Sequence, residues 1–322
     1  MYKKIDGLQP FNDLLLQSCF YNQRTAAYSA FGIDPKIVAG NYLPLYKFYP
    51  KTGILKLDCR EIFNKAEMQR LTGVKLNKYK IVDNFEKFVI GQINKNCPVM
   101  VFVDCFYLNY RKDTYKKMHS LHSILIYGYD DIKKIFVISE HMYLNSFKYT
   151  EQAVSIDIIK AANQSYMQRF MKGKNSLITF TRLKEPSMAS AGELFLKKIA
   201  ARKTDLRKSL DEFEKGMECL IACLSEQTKL ESELDVIIKF LGEVRRNKNV
   251  QKNLLGYVFG ENEMYTIADR IIEDYIFIYG LMVKMKITKR YDRNALEKAI
   301  VRCEEVLFLE KKLHGLLAEV KV

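Results

Sequence analysis

The sequence lacks the features that mark disordered chains and membrane-spanning proteins. Among its 322 residues are only 6 prolines and 15 glycines, while 48% of the residues are hydrophobic, enough for a substantial core. Nowhere do about eighteen uncharged apolar residues follow one another, and the N-terminus has no apolar run of signal-peptide length. These absences predict a folded, cytoplasmic protein with no membrane partner.

Cysteine pairs are also missing. The 7 cysteines are an odd number, and no two of them form a C-x-x-C motif. Most lie inside apolar runs, which favours reduced thiols over a disulfide framework. Cys219, Cys223 and Cys303 fall on or beside helical apolar stripes and are interpreted as packing residues.

Positive charge is unevenly distributed. The net charge is +14, and most of that excess lies in residues 1–185. The first part of the chain is therefore expected to meet an acidic partner such as a nucleic acid, an anionic membrane, a phosphate-bearing ligand or an acidic protein. Scattered basic residues are equally compatible with a solvated surface. Because they form no stripe and no recognition motif, nucleic-acid binding is not expected.

A change of pattern divides the chain near residues 182–193, where Pro, Ser, Ala and Gly interrupt it. We predict two domains, residues 1–185 and residues 186–322. The second contains three apolar stripes at helical spacing, which predict an antiparallel bundle with connections at residues 245–253 and 289–294. The stripes begin at Leu210, Met264 and Leu296; the first resumes at Leu230, so it is one long helix or two stacked ones.

The first part mixes helices and strands. A helix is predicted from about Ser18, which can cap it, to Gly32, and a second within residues 82–96. Residues 99–107 then form a continuous apolar run typical of a central strand, and residues 122–141 indicate an antiparallel hairpin. This order predicts an α+β fold.

Three of the 4 histidines cluster around that hairpin. With its turn near Asp131, His122 and Glu140 should face each other to within about one residue. Cys19 lies at a helix N-terminus, where the helix dipole and a neighbouring imidazolium would favour the thiolate. A base with an orienting acid and a nucleophile from elsewhere make a catalytic set, in the chain order of papain-like cysteine enzymes. Each residue alone is more often structural.

The other polar residues of this region have less distinct roles. His119 could support the site or merely be exposed, and Asp104 is expected to cap a turn. His141 should alternate to the face opposite Glu140, and His314 belongs to the bundle. A zinc site built from the three clustered histidines and Glu140 is not expected, because His119 and His122 straddle a strand start.

Residues 97–143 contain "VFVDCFY", the pair His119 and His122, "YGYDD", and a strand ending near an acid. In these pieces the stretch resembles the butirosin biosynthesis protein H N-terminal family, a likeness that extends over residues 12 to about 185. The resemblance implies a papain-like fold with Cys19 as nucleophile and His122 as general base. Family members commonly have Asp as the acid; "ISEH" offers Glu140 instead, although Ser139 could equally mark a lost acid.

The oxyanion glutamine that papain-like enzymes use has no obvious counterpart, because Gln17 is too close to Cys19 and Gln9 too far. The backbone N–H of Cys19 would remain as a donor.

The resemblance implies cysteine-dependent acyl transfer, from the thioester of an acidic acyl or peptidyl carrier protein to a small-molecule amine or alcohol in specialised metabolism. Thioester hydrolysis is the variant with water as acceptor. No cofactor or metal is expected. The alternatives are a papain-like peptidase and a binding or scaffold protein with a degraded triad. The helical domain could form a homodimer, a lid or a docking surface.

Overall fold

The computed structural model of the protein describes residues 1–13, 18–143, 146, 148–185 and 191–320. It divides into two compact units of interleaved sequence. Residues 1–39 and 65–188 form the first, and residues 40–64 and 189–322 form the second. The predicted domains are residues 1–185 and 186–322. They place the segment 40–64 in the first domain, whereas the structure groups it with the second unit.

The strands run in chain order as β1 Tyr2–Lys4, β2 Tyr42–Tyr49, β3 Ile54–Glu61, β4 Val74–Tyr79, β5 Val99–Asp104, β6 Leu121–Asp130, β7 Ile135–Glu140, β8 Thr150–Ser155 and β9 Leu177–Arg182. A short 3₁₀ helix, Cys105–Tyr107, follows β5.

The helices are α1 Cys19–Ser29, α2 Pro35–Ala39, α3 Lys65–Thr72, α4 Phe85–Asn94, α5 Ile156–Arg169, α6 Ala191–Ala200, α7 Lys203–Ser225, α8 Gln227–Phe259, α9 Glu263–Thr288 and α10 Arg293–Glu319. Within the described ranges, none of these helices combines the length and the apolar character needed to cross a bilayer.

The first unit is built on an antiparallel sheet. Its strand order is β4-β9-β5-β6-β7-β8, and β1 pairs with β6. The apolar runs of β5 and β6 are buried in the middle of this sheet, as continuous hydrophobic strands require. A sheet of this kind followed by a run of helices confirms the predicted α+β class. The paired ends of β6 and β7 carry His122 and Glu140.

Helix α1 packs against β6 with an unusually polar buried face. Ser18 occupies the predicted N-cap position with extended backbone, but its side chain makes no capping hydrogen bond. The helix ends at Ser29, and Gly32 follows with a φ of 71°, a conformation that glycine adopts without steric strain. The N-terminus of α1 is therefore held by packing rather than by a side-chain cap.

The second unit combines the β2–β3 hairpin with the helices α6 to α10. The predicted stripes are confirmed as two helices, α7 and α8, followed by α9 and α10. The prediction of a connection at residues 245–253 is wrong, because α8 continues through them to Phe259. Their polar residues have partners in the core: Lys248 forms a salt bridge with Glu310 at 2.6 Å. The second predicted connection is confirmed around Lys289–Asp292.

Candidate active site

A buried histidine and a buried glutamate meet at the ends of β6 and β7. Nε2 of His122 lies 2.8 Å from Oε1 and 3.0 Å from Oε2 of Glu140. Glu140 is fully buried and His122 is 4% exposed. Sequence reasoning paired these two residues, and the structure brings them into direct contact. The geometry favours Glu140 as the acid over the alternative in which Ser139 marks a lost acid.

The strand register differs from the predicted one. Leu125 pairs with Ser139, and a bulge between Ile126 and Gly128 shifts the remaining pairs by one residue. Continued to the strand ends, this register sets Glu140 opposite residue 124, so Glu140 and His122 are diagonal neighbours. A diagonal pair is still within reach of a long side chain. The extra methylene of glutamate, compared with aspartate, suits this wider spacing.

Cys19 begins helix α1 and lies beside His122 and Ser123. Burial by itself would raise the pKa of the thiol, but interactions with these two residues lower it to about 7. Cys19 as a whole residue is partly exposed, whereas its histidine partner is buried. Because Glu140 occupies Nε2 of the imidazole, Nδ1 is the ring nitrogen left to face the thiol. The predicted nucleophile, base and acid therefore form one contiguous set.

Helix α1 is anchored one turn after Cys19. The Gln23 side-chain amide donates a 2.8 Å hydrogen bond to the backbone carbonyl of Ser139. Ser139 directly precedes Glu140 on β7, so this contact ties the helix that carries the thiol to the strand that carries the acid. Asn22 donates another buried hydrogen bond of 2.8 Å, to the carbonyl of Phe11. The polar face of α1 positions Cys19.

Burial and charge oppose each other at this site. Burial alone would lower the pKa of His122, but the charges of Glu140 and Cys19 outweigh it and hold this pKa well above the usual range. Burial likewise favours the neutral form of Glu140, yet His122, His141 and Arg111 together keep its pKa below the ordinary value. The arrangement favours a thiolate–imidazolium pair beside an ionised glutamate.

Two further residues reach the same carboxylate and were not singled out from the sequence. The Tyr110 hydroxyl donates a 3.1 Å hydrogen bond to Oε2 of Glu140. Nη1 of the fully buried Arg111 lies 3.6 Å from Oε1. Both belong to the segment between β5 and β6, which has neither helical nor strand periodicity. A sequence pattern could not have predicted their contacts with a residue on β7.

His141 also belongs to the site, so its predicted place away from Glu140 is wrong. Its backbone N–H donates a 2.7 Å hydrogen bond to Oε1 of Glu140, and its ring meets the His122 ring edge-on with centroids 4.9 Å apart. The chain leaves strand geometry after Glu140, so alternation of side chains no longer applies there. Burial, with help from the His122 charge, lowers the pKa of His141 to about 4, which keeps it neutral at pH 7.

Three of these side chains offer metal-ligand atoms. Those of His122, Glu140 and His141 all lie within 4.8 Å of one another. However, the first two are joined by a direct hydrogen bond, and the Arg111 guanidinium 3.6 Å from Glu140 would repel a second cation. His119, which the sequence grouped with them, is paired elsewhere.

His119 is held by Asp104 rather than by the Cys19 site. Its Nδ1 lies 2.6 Å from Oδ2 of Asp104, and its ring stacks on Phe106. Asp104 accepts hydrogen bonds from the backbone N–H groups of Phe106, at 3.1 Å, and Ser120, at 3.2 Å. The prediction that Asp104 caps a turn is confirmed. It fastens both ends of the segment that carries Tyr110 and Arg111.

Backbone N–H groups at the start of α1 are available to stabilise negative charge beside Cys19, because the first turn of a helix leaves them without intrahelical acceptors. Of the two glutamines considered for this role, Gln17 lies outside the described residues and Gln9 is exposed.

His314 lies in the helical unit, as predicted, and its Nδ1 is 2.9 Å from the carbonyl of Glu310.

The fold and the site describe an α+β unit with a Cys–His–Glu set of the kind used in nucleophilic acyl chemistry. Residues 40–141 match the family model of butirosin biosynthesis protein H, N-terminal, which confirms the resemblance recognised in the sequence over this range, narrower than the predicted 12 to about 185. This range includes His122 and Glu140 but not Cys19. Comparison with curated proteins finds no match for the chain.

Proposed function

We propose that the protein is a cysteine-dependent acyltransferase of specialised-metabolite biosynthesis, with Cys19 as nucleophile, His122 as acid and base, and Glu140 as the orienting acid. The observation that carries this proposal is the geometry of the site: Cys19 lies beside the buried His122, whose Nε2 is 2.8 Å from Glu140, and this contact lowers the pKa of Cys19 to about 7. A thiolate at neutral pH is an activated nucleophile. The family match supports a biosynthetic role.

The first half-reaction loads the enzyme. The Cys19 thiolate attacks the carbonyl carbon of an acyl thioester, and backbone N–H groups at the start of α1 stabilise the developing oxyanion. When the intermediate collapses, the carbon–sulfur bond to the donor breaks and the leaving thiolate takes the proton of the His122 imidazolium. The products are acyl-Cys19 and a free donor thiol.

The second half-reaction unloads it. An amine or hydroxyl attacks the acyl-Cys19 carbonyl while His122, now neutral, accepts its proton. Collapse releases the acylated product and restores the thiolate–imidazolium pair. Throughout, Glu140 remains ionised. It stays hydrogen-bonded to Nε2 of His122 and stabilises the imidazolium. Water in place of the acceptor would make the protein a thioester hydrolase.

The acyl donor in this proposal is a phosphopantetheine thioester on an acidic carrier protein. The positive excess of residues 1–185 supports it, because complementary charge accelerates encounter with an acidic partner. The acceptor belongs to the same proposal as a small amine or alcohol.

The test is to incubate the protein with a panel of acyl-phosphopantetheine thioesters and to measure intact mass. We expect an acyl adduct on the wild type and on Cys59→Ala, which lacks another part-exposed thiol, and none on Cys19→Ala. Candidate amines and alcohols would then discharge the adduct. An adduct that survives Cys19→Ala, or the absence of one across the panel while Cys19 reacts with iodoacetamide no faster than Cys59, would contradict the proposal.

A further inference from the structure

A fully buried arginine lies behind the proposed acid. Nη1 of Arg111 is 3.6 Å from Glu140, and Nη2 is 3.7 Å from the part-exposed carboxylate of Asp113. Among the described residues, no partner accepts a hydrogen bond from its three guanidinium nitrogens. Its interaction with Glu140 is therefore one of charge. A buried cation of this kind is strongly destabilising unless a nearby anion compensates it.

The backbone around Arg111 is fixed by local turns. Its N–H donates to the carbonyl of Leu108 at 3.0 Å, and its carbonyl accepts from the N–H of Tyr115 at 2.8 Å. Asp104 fastens both ends of this segment, as described above. The preceding residue, Tyr110, donates to the other oxygen of Glu140. The guanidinium is thus held at a set distance from the carboxylate.

Counting Cys19, His122, Glu140 and Arg111, two negative charges meet two positive ones, and the part-exposed Asp113 beside Arg111 adds a negative charge that solvent screens. The Cys19 thiolate and Glu140 are negative, while the His122 imidazolium and Arg111 are positive, and His141 stays neutral. Without Arg111 the buried set would carry one excess negative charge, and proton uptake by the thiolate or the carboxylate would relieve it. The other titratable groups that face this set are Cys105, Tyr110, Asp113 and Tyr149.

We infer that Arg111 is a positioning residue that keeps Glu140 ionised and, through Glu140, keeps His122 protonated and Cys19 in its thiolate form. The inference rests on the proposed function and adds a fourth charged member to its site. The ion-pair partners of Arg111 are Glu140 and Asp113. Its effect should therefore appear in the pH dependence of the thiol and should depend on the charge of Glu140.

The test is the rate of Cys19 alkylation by iodoacetamide as a function of pH, followed by intact mass. We expect half-maximal reactivity near pH 7 for the wild type. Arg111→Met should move this midpoint upward by about one pH unit, while Arg111→Lys should keep most of the wild-type profile. Tyr110→Phe is the matched control, since it removes a contact with the same carboxylate but no charge, and should shift the midpoint less.

A double substitution tests the route through Glu140. In the Glu140→Gln background, Arg111→Met should produce less than half of the shift that it produces in the wild type. If Arg111→Met does not fold, judged by circular dichroism, Arg111→Gln is measured in its place and in the same background.

The outcomes separate the two proposals. A wild-type midpoint near that of an ordinary thiol, about 8.5, would overturn the activated nucleophile itself. A wild-type midpoint near 7 that does not move when the Arg111 charge is removed would overturn only the role of Arg111. An equal shift in both backgrounds would show that Arg111 acts on the thiol directly, and would also overturn the inference.

Discussion

Each unit of the protein buries a glutamate beside a lysine or arginine, a histidine and a tyrosine, yet the two clusters have different surroundings. In the first unit, Glu140 contacts His122, Tyr110 and Arg111. In the second, Glu310 forms a 2.6 Å salt bridge with Lys248 and accepts a 2.7 Å hydrogen bond from Tyr46. His314 lies 3.5 Å from the same carboxylate.

The thiols of the two units also differ in their pKa values. Beside Glu140 and His122, the pKa of the part-exposed Cys19 is lowered to about 7. In the helical unit, burial raises the pKa of Cys303 to about 12 and that of Cys223 to about 11. A buried network of charges alone therefore does not define an active site. An active site also requires an accessible chemical group whose reactivity is changed by the network of charges.

The largest expected effect comes from removing the base. His122→Ala should lower the rate of acyl transfer at pH 7 by at least about a hundredfold, because it removes both the proton carrier and the charge that stabilises the thiolate. The pKa of Cys19 should rise, since burial then acts unopposed by an imidazolium. Single-turnover acyl transfer and alkylation of Cys19 measure the two effects.

The matched substitution is His314→Ala, which removes the histidine of the other cluster. It should leave Cys19 alkylation unchanged while lowering the melting temperature. Equal losses of thiol reactivity in His122→Ala and His314→Ala would contradict the view that only the first cluster activates Cys19.

The next largest effect concerns the stability of the helical unit. Glu310→Gln should decrease the free energy of unfolding by about 3 kcal/mol, because Lys248 would remain buried without its counter-charge. Urea unfolding followed by circular dichroism measures the change. Replacing both partners by apolar residues, Lys248→Met with Glu310→Leu, should destabilise the protein less than Glu310→Gln does. The reverse order would show that the ion pair itself is strongly stabilising.

Acid should weaken that same pair. Despite burial, Lys248 and His314 lower the pKa of Glu310 to about 2, whereas an unfolded glutamate titrates near 4.3. The stability from this group is therefore complete above about pH 4.3 and is lost as the pH falls towards about 2. Wild type and Glu310→Gln should differ most at neutral pH and converge in acid. A constant difference from pH 7 to pH 2 would exclude a depressed pKa.

Several elements of the fold could be read from local patterns. The apolar run of β5, the β6–β7 hairpin and the stripes of α7 to α10 are repeats of period 2 or 3.6, which a single chain segment displays by itself. The distance of Glu140 from His122 along the hairpin followed from the position of the turn, although the bulge at Ile126/Gly128 changed the register.

Other elements depend on contacts between distant segments. Strand β9 inserts between β4 and β5, and no pattern within residues 177–182 specifies those neighbours. The hairpin formed by β2 and β3 joins the helical unit, where the backbone N–H of Tyr46 donates to the Ser209 hydroxyl at 2.7 Å. Polar residues 245–253 resembled a connection because the partner of the buried Lys248 is Glu310, which is 62 residues away in the sequence.

The sequence by itself determined the α+β class, the helical second part and the identities of Cys19, His122 and Glu140 as chemical candidates, because residue type and short-range spacing are properties of the chain. Only the tertiary structure decided that these three meet, that His141 and Arg111 join them, and that Cys19 differs from the other thiols. Reactivity depends on burial and on charges within a few ångströms, and folding alone brings those charges together.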